Sequence, residues 1–149
     1  MTPRLDAAAC QQKLQLMLDL LADLDRHGDP SGDELRANRD LRLIVERVLT
    51  QLVDLAVACN GLLARALAHR RPTGYRDSFL VLGDAGVLPA ELMVRLAPSA
   101  GIRNLLTHQY GSIDLDIVAA AVPDARRDFR AYVEAVAHRL DAVENDGAT

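Results

Sequence analysis

The sequence predicts an all-α fold, an antiparallel bundle of four to five helices in a single domain. Three observations predict it. Of 149 residues, 25 are Leu and 23 are Ala, both strong helix formers, against 9 Gly and 6 Pro. The aromatic residues that strands favour make up only 3% of the chain, and β-branched residues are comparatively scarce. Apolar side chains recur at intervals of three and four, the period of one helix face. With 50% apolar residues, a chain of this length buries a core without staples and is not disordered.

The elements follow in order. Thr2-Pro3 reads as an N-cap with proline at the first helical position. Leu14, Met17, Leu18, Leu21 and Leu24 then line one face of a first helix, and the breakers Gly28, Pro30 and Gly32 end it. Asp33 is expected to cap a long second helix reaching about His69, with Leu41, Ile44, Val48, Leu52, Leu55, Cys59 and Leu62 on one stripe. Leu49, Val53 and Val57 widen that stripe beyond the needs of one neighbour, which suggests a second packing partner such as another subunit. Arg70 to Gly74 is a loop, and a short helix is expected from Tyr75 to Ala85. Gly86 and Leu88-Pro89 restart another, and Pro98 kinks or re-initiates it. Ile113 to Val122 reads as helical and broken near Pro123, ahead of a last helix carrying Phe129, Tyr132, Val136, Leu140 and Val143. The core is expected over about residues 4–143, with a frayed tail at 145–149.

Composition narrows the function classes. No apolar run is long enough to span a bilayer, and the opening MTPRLDAAAC has no sustained apolar segment of a secretory leader. Cys10 and Cys59 are far apart, fit no metal spacing, and read as small buried hydrophobes in a reducing cytosol. The formal net charge of −4 does not advertise a nucleic-acid binder. Its distribution is uneven: residues 60–110 carry six arginines and three acids, a local excess inside an acidic chain.

Most candidate motifs dissolve on inspection. Gly111-Ser112 with Asp114 and Asp116 has too short a spacer for a nucleotidyltransferase metal site, and reads as a helix N-terminus with acids in the first turn. Gly83-Asp84-Ala85-Gly86 lacks the Lys-Ser/Thr of a phosphate loop. His27, His69 and His138 have no second ligand at i+4, so no metal site is expected. One stretch concentrates polar groups. In Gly101 to Tyr110, Asn104 and His108 share a helix face, and Arg103 and Tyr110 share a neighbouring one. From spacing alone the favoured reading is an ordinary helix C-terminus, with cations on the negative dipole end and Gly111 stopping the helix.

The residues decide more than the spacing. Arg103-Asn104-x-x-x-His108-x-Tyr110 resembles the R-N-x-x-x-H-x-Y motif of the HepT branch of HEPN-domain proteins. Arg71-Pro72-x-x-Tyr75-Arg76-x-x-Phe79, Ala85-Gly86-Val87-Leu88-Pro89 and Gly101-Ile102-Arg103-Asn104 resemble further segments of that family in the same order. Ile102 replaces an aromatic, and the N-terminal third is similar only in its helical pattern.

The resemblance implies a helical-bundle toxin over residues 1–149, a metal-independent, cofactor-free endoribonuclease of the cytoplasm, acting as a homodimer on RNA. It implies a cognate MNT-family nucleotidyltransferase antitoxin that adenylylates the motif tyrosine, here Tyr110. On this reading Arg103 supplies the permanent cation for a phosphate and His108 the group that titrates near neutral pH. Asn104 orients one or the other. Tyr75 and Tyr132, in core-like contexts, are expected to be poor acceptors of AMP. The alternative is a non-catalytic helical partner that holds nucleotide or substrate for a nucleotidyltransferase.

Overall fold

The computed structural model describes residues 4–108 and 112–147, and among them every regular element is a helix. There are seven: α1 (Ala7–Arg26), α2 (Gly32–Ala37), α3 (Arg39–Leu67), α4 (Tyr75–Asp84), α5 (Ala90–Leu96), α6 (Ser99–His108) and α7 (Leu115–Gly147). The all-α architecture is as expected, while the helix count is higher because the expected second helix divides at Asn38 and the segment after Pro89 divides at Pro98.

The first helix is capped by Asp6, whose carboxylate accepts the Ala9 N–H at 3.0 Å; the expected cap at Thr2 lies outside the described residues. Asp33 does not start the second helix. Ser31 caps α2 through the Glu34 N–H at 3.1 Å, and Asn38, in extended conformation, ends α2 and caps α3 through the Leu41 N–H at 3.1 Å. A side chain able to accept from the next turn thus splits what periodicity reads as one helix. Conversely, α7 runs through Pro123. Proline has no N–H to offer the Ala119 carbonyl four residues back, but Pro123 is exposed and Ala119 only partly buried, so the interruption falls toward the helix's solvent side. The same helix continues to Gly147, past the point where fraying is expected.

The α4–α5 turn shows why Ala85-Gly86-Val87-Leu88-Pro89 has its sequence. The Val87 N–H reaches back to the Leu82 carbonyl at 3.0 Å and the Gly86 N–H to the Gly83 carbonyl at 3.1 Å, a Schellman closure. It requires the left-handed backbone that Gly86 adopts, with φ +76°. Val87 is then buried, and Pro89 opens α5.

The centre of the bundle is α3, packed against α1, α2, α4, α6 and α7. Met17, Leu21, Leu52, Leu63, Phe79, Leu82, Tyr132 and Val136 are almost fully buried in one continuous core. Of Leu49, Val53 and Val57, whose width on the stripe suggested a second subunit, the first two are 4% exposed, covered by this chain's own helices, and Val57 is half-buried. The apolar surface that α3 does leave exposed is Leu43 and Ile44, near its start. Cys10 and Cys59 are free, buried and neighbours across α1 and α3. The hydrogen bond with Cys10, and then burial, push the Cys59 thiol up, while the same bond lowers Cys10. Ion pairs fasten the outer seam: Arg126 and Arg130 of α7 meet Asp25 of α1, with Arg126 Nε 2.8 Å from the carboxylate. No helix among the described residues is long and apolar enough to cross a membrane.

Candidate active site

Pro98 ends the preceding turn, and α6 begins with the Ser99 hydroxyl donating to the Leu96 carbonyl at 2.6 Å. Ten residues follow with an apolar side, Ile102 and Leu106, packed on the core. That docking fixes where Arg103 projects.

Arg103 lies between α3 and α4. Its Nε donates to Asp54 Oδ1 at 2.9 Å, and its guanidinium carbon sits 4.9 Å from the centroid of the Tyr75 ring. The side chain is only 20% exposed. Cation and ring attract by roughly 0.5–2 kcal/mol, depending on desolvation. Asp54 engages Nε, and among the described residues the two Nη groups have no hydrogen-bond partner, which leaves them as a fork for an anion.

Tyr75 is itself anchored. Its carbonyl accepts the Ser78 hydroxyl at 2.7 Å, and Ser78 Oγ accepts the Asn60 amide at 2.9 Å. Asn60 Oδ1 accepts the Tyr132 hydroxyl at 2.6 Å. Asn60, Ser78 and Tyr132 are all buried, so a satisfied polar chain from α3, α4 and α7 holds the platform under Arg103. Tyr132 is the core residue the sequence suggested; Tyr75 is half-buried and belongs to the site.

The loop before Tyr75 is tied down separately. Asp77 accepts from Arg70 at 2.8 Å and from the Thr73 N–H at 2.9 Å. Arg70 and that backbone bond hold the Asp77 carboxyl at a pKa of about 2.

Asn104 and His108 are both exposed, and neither has a hydrogen bond to the other or to any described residue. The expected single polar cluster therefore divides: Arg103 is held inward against Asp54 and Tyr75, while Asn104 and His108 face outward on the adjoining side of α6. Gln109, Tyr110 and Gly111 lie outside the described residues, and with them the expected neighbourhood of Tyr110 and Arg103. The carboxylates of the decoy pair behave as a helix start, with Asp114 Oδ1 accepting the Asp116 N–H at 2.9 Å.

On the other side of Arg103 is a cavity of about 280 Å³, floored by Leu49, Val53, Ile102 and Phe129. Asp128, 5% exposed, holds Arg95 and Arg127 at its mouth, each Nε 2.9 Å from Oδ1. Burial raises the Asp128 pKa, but the Arg127 and Arg95 hydrogen bonds outweigh it and the net direction is down.

A family model, Ribonuclease HepT-like, matches residues 17–136. The chain belongs to the HepT-like family. It is 28% identical over 136 residues to the tRNA nuclease HepT of Aphanizomenon flos-aquae, covering 91% of this chain and 92% of that one. It is 31% identical over 65 residues to the mRNA nuclease HepT of Shewanella oneidensis, which spans 44% of this chain. In fold it is similar to a tri-AMPylated Shewanella oneidensis HEPN toxin solved with its MNT antitoxin, at TM-score 0.78 and 21% identity, over 87% of this chain and 97% of that one.

Asp54 belongs to no motif, and Tyr75, part of one but expected in a core-like context, stands against Arg103 instead. Asp54 does carry a sequence signal. It is the one charge in the apolar run Leu52 to Cys59, and a lone acid on such a helix face needs a cation partner.

Proposed function

We propose that this HepT-like chain is a toxin endoribonuclease that cleaves RNA by attack of a ribose 2′-hydroxyl on the adjacent phosphorus. In that step the 2′-oxygen forms a bond to phosphorus, the bond to the 5′-oxygen breaks, and a 2′,3′-cyclic phosphate results. A base removes the hydroxyl proton and an acid delivers one to the departing 5′-oxygen. The observation that carries the reading is Arg103, clamped through Nε by Asp54 over Tyr75, with no hydrogen bond from its Nη groups to any other described residue. A half-buried, pre-oriented guanidinium suits the extra negative charge of a phosphorane better than a mobile one, because no reorganisation is needed as charge develops. His108, exposed on the same helix, serves as the acid/base. Asn104 assists in holding the phosphate.

One imidazole does not readily serve as acid and base in the same step. A two-fold homodimer that brings two α6 helices to one cleft would supply the second. All of this chemistry uses side chains alone and needs no metal.

A HEPN toxin of similar fold carries AMP groups in complex with its MNT antitoxin; on the same proposal, such a nucleotidyltransferase transfers AMP from ATP to the Tyr110 phenol of this chain, releasing pyrophosphate. The new phosphodiester is an anion seven residues from Arg103, suited to occupy its fork in place of RNA. The test is expression of the chain without its partner. Growth arrest that disappears with Arg103→Ala or His108→Ala supports the enzyme. Binding of nucleotide without arrest or cleavage would favour a non-catalytic partner.

A further inference from the structure

The arginines of residues 60–110 are disposed in two ways. Arg70, Arg95 and Arg103 are committed to carboxylates. Arg65, Arg71 and Arg76 are exposed and have no carboxylate, hydrogen-bond or ring partner among the described residues. These three are not scattered. Arg65 and Arg71 line an open depression of about 550 Å³ whose wall is Tyr75, and no acid lines it. Arg76 lines a second depression of about 570 Å³ that shares Tyr75 and Gly74 with the first and ends at Asn104. Its one carboxylate, Asp77, is already occupied by Arg70 and Thr73. Tyr75 is thus the ridge between two hollows, the first combining Arg65 and Arg71 with apolar Val57, Ala58 and Leu62 and the second holding Arg76, and Arg103 covers its ring. Leaving three guanidiniums without partners on one patch of a chain with net charge −4 costs mutual repulsion, which an anion of matching spacing would relieve.

We propose that Arg65, Arg71 and Arg76 form a track for the backbone of single-stranded RNA that leads a phosphodiester across Tyr75 to Arg103. The inference rests on the ribonuclease reading and adds to it the surface that receives the substrate. It gives the Arg71-Pro72-x-x-Tyr75-Arg76 segment a role apart from the chemical step. Pro72 and Gly74 shape the loop, while Arg71 and Arg76 flank the ridge. An open, charged surface without a deep base pocket reads phosphates, so these contacts set affinity and salt dependence, not sequence preference.

The test uses full-length His108→Ala protein, inactive on the ribonuclease reading, and a fluorescently labelled single-stranded RNA of mixed sequence. Anisotropy is followed from about 50 to 200 mM salt. Each phosphate contact on a single strand contributes about 0.7 to the slope of log K against log salt, so replacing all three arginines with Gln lowers that slope by about 2. It raises Kd about tenfold or more at the upper end. A matched Arg→Lys triple keeps most of the slope, since a point charge suffices for tracking. Arg39→Gln, exposed at the far end of α3 and roughly 40 Å along the helix from Arg65, leaves it unchanged.

In the active background, the Gln triple raises KM and spares kcat. A Gln triple with wild-type slope and Kd overturns the track, as does a Lys triple that behaves like Gln. Loss of antitoxin binding with RNA binding intact overturns it too, in favour of a protein-docking surface. None of these outcomes touches the ribonuclease reading, which fails separately if Arg103→Ala and His108→Ala cleave RNA like the wild type.

Discussion

Arg103 owes its usefulness to what Asp54 and Tyr75 do to it. A free arginine samples many rotamers, and ordering it at the transition state costs on the order of 1–2 kcal/mol. Here an ion pair at Nε and the Tyr75 ring meet that cost before substrate arrives. Asp54→Ala is therefore expected to lower kcat about ten- to a hundredfold. KM should stay level or fall, because the unpaired guanidinium still attracts phosphate. Asp54→Asn keeps an acceptor oxygen and should lose less. Steady-state kinetics separating kcat from KM would check both, and a loss confined to KM would mean that Asp54 only shapes binding.

Asp77 makes a second, pH-dependent prediction. Its folded pKa of about 2 lies below the ordinary 3.8, so its contribution is complete above about pH 4 and is lost as pH falls through 2. An NMR titration of the carboxyl should show that depressed midpoint, and Arg70→Gln should move it upward. Motif reading supplied Arg103 and His108, but not the pairing of Arg103 with Asp54, 49 positions away in sequence. Such a contact depends on how α3 and α6 pack, and no local pattern encodes it.

At the scale of elements, periodicity located the helices and misjudged their ends. Asn38 and Pro123 show why. The first looks like any polar residue inside a helical stretch, yet its side chain caps the next helix better than it continues the last. The second is a helix breaker by propensity, yet α7 packs on the core both before and after it, at Val118, Val122, Ala125 and Phe129. Tertiary burial outweighs a local cost of about 3 kcal/mol. Pro123→Ala should accordingly stabilise the protein by on the order of 1–3 kcal/mol, read as a higher midpoint in chemical denaturation. Gly86→Ala should do the opposite. No side chain blocks a Cβ there, but φ of +76° strains any L residue, at a cost of about 1 kcal/mol.

For the molecule as a whole, the all-α class was legible from composition and period. The family was legible from four short segments, of which Arg103 to Tyr110 is the most specific. Of the residues that widen the α3 stripe, Leu49 and Val53 are covered by the chain itself and Val57 stays half-buried on an open depression. What still motivates a dimer is chemical: one exposed His108 per chain for a step that moves two protons. Exchanging wild-type chains with an excess of His108→Ala chains should therefore extinguish activity, because a mixed dimer holds a single imidazole; activity that falls only in proportion to dilution would mean that each chain works alone. Separately, Tyr110→Phe should still cleave RNA but resist silencing. Mass spectrometry after incubation with the partner nucleotidyltransferase, ATP and magnesium should show whole AMP additions on the wild type that map to Tyr110.

The most direct test of the central claim is the chemistry of the cut ends. RNA treated with the purified chain, with EDTA present, should carry 2′,3′-cyclic or 3′-phosphate termini opposite 5′-hydroxyls. Arg103→Ala and His108→Ala should each reduce their formation by a factor of about a hundred or more while the fold persists. Termini bearing 3′-hydroxyls, a strict requirement for magnesium, or unchanged cleavage by either variant would contradict the account.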